Sequence, residues 1–194
     1  MIKINIFVED VIHEDFLTAL IQRLADENDL KCKINASSVR GGRGKVLSEF
    51  SQYIQDLQDN LLESPDLIIV ATDSNCKGIV DREKEINQYT AIFSDIVINM
   101  IPEPHIERWL LLDSEAFKKV YGKGCIKPDN KCEKGRYKHQ LLNAIFNATM
   151  TSPIDGTERI DELINAMDLQ RLIQSDRSIR RFLTQLQQRF NIQN

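Results

Sequence analysis

Three places in this 194-residue chain put carboxylates directly after an apolar, β-branched run. Glu9 and Asp10 follow "IKINIFV". Asp73, with Ser74 and Asn75, ends "DLIIVATD". Glu103 and Glu107 lie in "PEPHIERW", just beyond "DIVINMI". Carboxylate oxygens are the hard ligands that Mg²⁺ and Mn²⁺ prefer, usually one or two per ion, with water and substrate phosphate completing the shell. Acids crowded at one edge without a cation repel each other and raise each other's pKa. If the fold gathers these three places, a divalent metal is the simplest resolution of their charge.

The elements that must do the gathering are legible as periodicities. Residues 2–8, 31–39, 66–73 and 95–101 read as strands, the third being the most apolar and so the central one. Between them, Phe16, Leu17, Leu20, Ile21 and Leu24 keep helical spacing, as do Val46, Leu47, Phe50, Ile54, Leu57 and Leu61, and "VDREKEINQYTAIF" reads as a shorter helix. Four alternations of strand and helix predict an α/β fold, a parallel sheet of about four strands flanked by helices with right-handed crossovers. In such sheets ligands gather beyond the carboxyl ends of the strands, where the acids are. The remainder reads as helical: "EPHIERWLLLDSEAFKKVY" as one helix, then "YKHQLLNAIFNAT", "GTERIDELINAMDLQRLIQS" with Thr157 as N-cap after an Asp155-Gly156 turn, and "RSIRRFLTQLQQRF". Trp109 reads as core.

Charge is unevenly spread. The total is −4, yet residues 1–117 carry 11 Lys+Arg against 21 Asp+Glu, residues 118–139 carry 8 against 2, and residues 140–194 carry 6 against 6. An acidic body with a short segment of net +6 suits a polyanion-binding protein, with Lys118, Lys119, Lys123, Lys127, Lys134, Arg136 and Lys138 as nucleic-acid contacts. Tyr121 and Tyr137 in that segment are candidates for stacking on bases. No apolar run reaches the roughly 18–20 residues of a membrane span, and acid arrives by residue 9, so neither a membrane anchor nor a signal peptide is expected. Cys32, Cys76, Cys125 and Cys132 match no zinc or redox spacing and read as free thiols in a reducing cytosol, although Cys125 and Cys132 are close enough to share a site. His13 reads as exposed, with a supporting place beside Glu9 as the alternative; His105 flanks Glu107.

The stretch "SSVRGGRGKVLSEF" resembles a phosphate loop but is not one. Val39 stands where its first Gly belongs, and Val46 where a Mg²⁺-binding hydroxyl belongs. A Rossmann dinucleotide site fares no better, since the first turn lacks Gly-x-Gly-x-x-Gly.

Over residues 2–117 the chain resembles the TOPRIM family, the domain of topoisomerases, primases and overcoming-lysogenization-defect (OLD) nucleases. "FVEDVIHEDFL" is similar to the family's opening Val-Glu-Gly, and "ATDSNCKG" to its Asp-x-Asp turn. "PEPHIERWLLLD" is similar to a segment of TOPRIM-like proteins from bacterial defence loci. The resemblance implies a TOPRIM-like domain over 1–117 and a basic loop and helical extension over 118–194. It implies a nuclease-like, Mg²⁺- or Mn²⁺-dependent hydrolase acting on DNA or RNA in the cytoplasm, working with a protein partner such as an ATPase.

The same resemblance implies roles for individual residues. Glu9, Asp73 and Glu107 become catalytic, with Glu9 a metal ligand or general acid/base. Asp73, Asn75 and Glu107 join Glu9 as metal ligands, Glu103 being a weaker choice. The glycine-rich turn then places Arg40, Arg43 and Lys45 on phosphate. Asp10 stands where the family has Gly. Asn75 replaces the second Asp of the turn, and its carbonyl brings no charge. Those departures define the alternative: a catalytically inactive module that binds a protein or nucleic-acid partner.

Overall fold

The computed structural model describes residues 1–38 and 42–192. Its sheet is four-stranded and all parallel, built from β1 (Ile2–Val8), β2 (Cys32–Ser38), β3 (Leu67–Ala71) and β4 (Val97–Met100), in the order β2-β1-β3-β4. Helices α1 (Val11–Glu27), α2 (Arg43–Gln58) and α3 (Ile79–Asn87) make the crossovers. The expected α/β class and strand count hold. The register sets Ile4 opposite both Ile34 and Leu67, so β1 and β3 sit side by side at the centre.

The period-two geometry of the strands divides the core into two layers. Ile4, Ile6 and Val8 of β1, with Leu67, Ile69 and Ala71 of β3, pack on one side against Phe16, Leu17, Leu20 and Leu24 of α1. Phe7, Ile68 and Val70 point the other way, into Val46, Phe50 and Ile54 of α2 and Ile86 of α3. Every residue of β3 is buried, as its unbroken apolar run requires.

Beyond the sheet lie α4 (Ile106–Leu110), α5 (Ser114–Tyr121), α6 (Arg136–Thr149), α7 (Ile160–Ala166), α8 (Leu169–Ser175) and α9 (Arg177–Arg189). They share the α1 layer. Trp109 is fully buried, as expected of a core residue, with its ring 5.5 Å from Phe16 and 6.2 Å from Phe182. Residues 118–192 thus contribute to the same core as the sheet.

Three expected helices are interrupted. The one expected over residues 80–93 stops at Asn87 and gives way to a 3₁₀ segment, Ala91–Ile96. The 103–121 helix breaks because Asp113 accepts hydrogen bonds from the Glu115 and Ala116 amides and so caps a new helix. The 156–175 helix breaks where Asp168 caps α8 through the Arg171 amide. Thr157 is not an N-cap: its amide and hydroxyl both donate to Asp155, and α7 begins only at Ile160. The Asp155-Gly156 turn is present, with Gly156 at φ 91°.

Two cysteines also depart from expectation. Cys76 and Cys132, both exposed, form a disulfide across 56 residues, while Cys32 and Cys125 stay free. No helix among the described residues is long and apolar enough to cross a membrane.

Candidate metal centre

The order β2-β1-β3-β4 reverses direction between β1 and β3. The chain leaves β1 towards β2 on one side and β3 towards β4 on the other, which opens a crevice at their carboxyl ends. Glu9 and Asp10 leave β1 there, and Asp73 leaves β3. A backbone ladder then carries Asp73 towards α4: the Thr72, Ser74 and Asn75 amides donate to the carbonyls of Met100, Pro102 and Pro104. This register delivers His105 and Glu107 to Asp73.

Asp73 is the hub. Its Oδ1 accepts from the Ile106 amide at 2.9 Å, closing the first turn of α4, and its Oδ2 lies 2.9 Å from His105 Nδ1. His13 Nε2 stands 3.2 Å from Oδ1 but off the line of a hydrogen bond, so this contact is an ion pair. His13 Nδ1 is 2.7 Å from Asp10 Oδ1. The fully buried imidazole is thereby held between two carboxylates.

One ligand atom from each of Asp73, His105 and Glu107 lies within 4.8 Å of the others. Trans ligands of an octahedral Mg²⁺ lie about 4.2 Å apart, so a small inward movement would suffice to share an ion. Two carboxylates and an imidazole suit Mn²⁺ better than Mg²⁺, because nitrogen is the softer donor. The residues fit a divalent ion.

The charges answer one another. Burial pushes the Glu9 and Glu107 carboxyls up, and the negative charge of Asp73 adds to this in both. Burial also works to raise Asp73 and Asp10, but the facing histidines outweigh it and both end lowered. For His13, burial favours the neutral ring, yet Asp73 and the hydrogen bond to Asp10 prevail and hold its pKa up at about 10. The hydrogen bond to Asp73 raises His105.

Of the residues expected at the centre, Asp73 and Glu107 come together. Glu9 stands alongside: its Oε2 accepts from the Asp73 amide at 3.2 Å. Asn75 is adjacent but serves the turn, with φ 49° and its amide nitrogen 3.4 Å from the Asp73 carbonyl. Glu103 offers only its backbone carbonyl nearby, to Arg108. Asp10 sits at φ −160°, extended backbone that needs no glycine, and caps α1 through the His13 amide.

The cations divide. Arg40 lies outside the described residues. Arg43 opens α2 and faces Glu85 at 3.6 Å, and Lys77 and Arg82 hold the same carboxylate, whose pKa falls to about 2. Lys45 is exposed one helical turn beyond Gly42. Lys118, Lys119, Lys123, Lys127, Lys134 and Lys138 are exposed and make no ion pair among the described residues, whereas Arg136 is paired with Asp129 and Glu133. Tyr121 and Tyr137 are buried, so neither offers a stacking face.

Four features were not legible in the sequence. His105 joins Asp73 and Glu107 in the ligand group, where the sequence points to Glu9 and Asn75. His13 is buried, not exposed; it falls in the same stripe as Phe16, Leu17 and Leu20, three, four and seven residues on, and that spacing is the signal. Arg108, 7% exposed, donates to Asp176, to the Asp129 carbonyl at 2.8 Å and to the Glu103 carbonyl at 3.2 Å. The Cys76–Cys132 pairing carries no spacing signal at all. Comparison with protein-family models, with curated proteins and with solved structures finds no match to this chain.

Proposed function

We propose that this chain is a TOPRIM-like, divalent-metal-dependent protein that processes phosphodiester bonds in nucleic acid, nuclease-like in its chemistry, within a defence or repair assembly that includes a partner such as an ATPase. The observation that carries the reading is the convergence of Asp73, His105 and Glu107 at the crevice between β1 and β3. A bound Mn²⁺ or Mg²⁺ would supply positive charge to a phosphoryl oxygen. Glu9, which accepts from the Asp73 amide but lies outside the three-residue group, would move a proton at the reacting phosphate. Lys45 and the exposed lysines of 118–138 provide charge for the strand.

Labelled DNA and RNA incubated with Mn²⁺, Mg²⁺ or EDTA test this reading. Cleavage is expected only with metal, and Asp73→Ala and Glu9→Ala are each expected to lower the rate by about 100-fold or more. Equal cleavage by these variants would remove the site from the reaction.

A second reading is favoured by one specific observation. Asp73 is already engaged by the Ile106 amide, His13 and His105, and its neighbour Asn75 is neutral. An inactive module, with imidazolium balancing the acids in place of an ion, would bind strand or partner and gain no melting temperature from Mn²⁺.

A further inference from the structure

Helix α6 begins beside the metal centre, where the Tyr137 ring lies 6.3 Å from that of His105, and runs on past a second concavity. A cavity of about 350 Å³ lies between α6 and residues 123–127, within the range of small-ligand sites. Its apolar surface comes from Leu111, Ala144 and Ile126, and Ile126 is 91% exposed. Gln140, Asn143 and Asn147 line it from one face of α6, and their amides make no hydrogen bond among the described residues. Lys123 and Lys127 line it from the loop, with their charges unpaired among the described residues.

The loop wall is fixed. A Cβ on Gly124 would come within 2.5 Å of Ser114 Oγ, so the chain lies directly on α5 there. The Cys125 thiol donates to the Leu111 carbonyl at 3.4 Å. The cavity is therefore preformed.

The lining specifies a ligand with three properties. Side-chain amides both donate and accept, which matches the mixed edge of a heterocycle. Two ammonium groups at one side call for an anion. The apolar surface calls for a flat body that would also cover Ile126. Inorganic phosphate would use only the lysines, and an apolar acid would leave the three amides to water. We propose that this cavity is a nucleotide-binding site, with the base against Leu111, Ile126 and Ala144, its edge read by Gln140, Asn143 and Asn147, and its phosphate held by Lys123 and Lys127. The site needs no ion. It deepens the nucleic-acid reading if the nucleotide belongs to a strand.

Calorimetric titration of the full chain in EDTA with AMP, GMP, CMP and UMP tests it, with ribose 5-phosphate and inorganic phosphate as probes lacking the base. At least one nucleotide is expected to bind saturably, and at least about tenfold tighter than ribose 5-phosphate, a difference of about 1.4 kcal/mol. The Lys123→Ala/Lys127→Ala pair and Asn143→Ala, both at exposed positions, are each expected to weaken it about tenfold. Ala144→Trp fills the cavity and is expected to abolish binding while the melting temperature stays near wild type.

The proposal falls if no nucleotide binds, if ribose 5-phosphate binds as tightly, or if folded Ala144→Trp binds normally. A five-nucleotide oligomer binding tighter than the monomer assigns the site to a strand, and equal binding assigns it to a free nucleotide. A parallel Mn²⁺ titration separates the two claims. Mn²⁺ binding without nucleotide binding removes this site and leaves the metal centre, and the converse result removes the metal centre alone.

Discussion

At Asp73, a divalent cation would compete with the histidine protons for one negative charge. The carboxylate meets His105 and His13 on its two oxygens, and Glu107 and Glu9 border it. Mn²⁺ is expected to raise the melting temperature of wild type, and Asp73→Asn, which keeps the shape but removes the charge, is expected to abolish that rise, as differential scanning fluorimetry would read. His13 gives the pH dependence in EDTA. Its pKa is about 10 folded against an ordinary 6.5, so its stabilising contribution is complete below pH 6.5 and is lost as pH rises towards 10. Melting temperature should fall across that window, and His13→Asn should flatten the fall while lowering stability at neutral pH. The acids themselves were legible because strand ends are legible. His13 was not, because a titratable residue inside an apolar stripe reads as exposed until the fold supplies two carboxylates to hold it.

Among the elements, short α4 does the most positioning. Ile106 closes onto Asp73, Arg108 reaches the basic loop and the cap of α9, and Trp109 Nε1 donates to Ser178 at 2.8 Å. Arg108 and Asp176 are both buried, and truncating one partner strands the other's charge. Arg108→Ala is therefore expected to cost about 3–5 kcal/mol in urea unfolding. A smaller loss, near that of an exposed pair, would mean that water reaches Asp176. The alternating elements were readable from their periods, since strands of two-residue period and helices of 3.6 cannot be exchanged. The breaks at Asp113 and Asp168 were not. Each sits in a helical pattern and reveals itself as a cap only when its carboxylate turns back onto the following amides.

Across the whole molecule, the basic segment is fastened to the acidic edge. Tyr137 Oη accepts from the Lys131 amide, Arg108 holds the Asp129 carbonyl, and Cys132 is bonded to Cys76, three residues beyond Asp73. Reduction is expected to remove about 4 kcal/mol of stabilisation in the chain-entropy picture for a loop of this length. Hydrogen exchange should then quicken first in residues 122–135 while the sheet stays protected. If the exposed lysines contact phosphate, each Lys→Ala change that removes one contact should reduce the salt slope of strand binding by about one. A slope unchanged across all of them would place the strand elsewhere. The charge block itself was plain in the sequence, but its fastening was not, because a covalent link across 56 residues depends on the assembled fold.

Anomalous diffraction from crystals soaked in Mn²⁺ would show whether Asp73, His105 and Glu107 hold an ion together. One strong peak is expected within bonding distance of Asp73, His105 and Glu107, with Glu9 beside it. Density that leaves Asp73 bridging His13 and His105, with no anomalous signal at the crevice between β1 and β3, would rule out a shared ion.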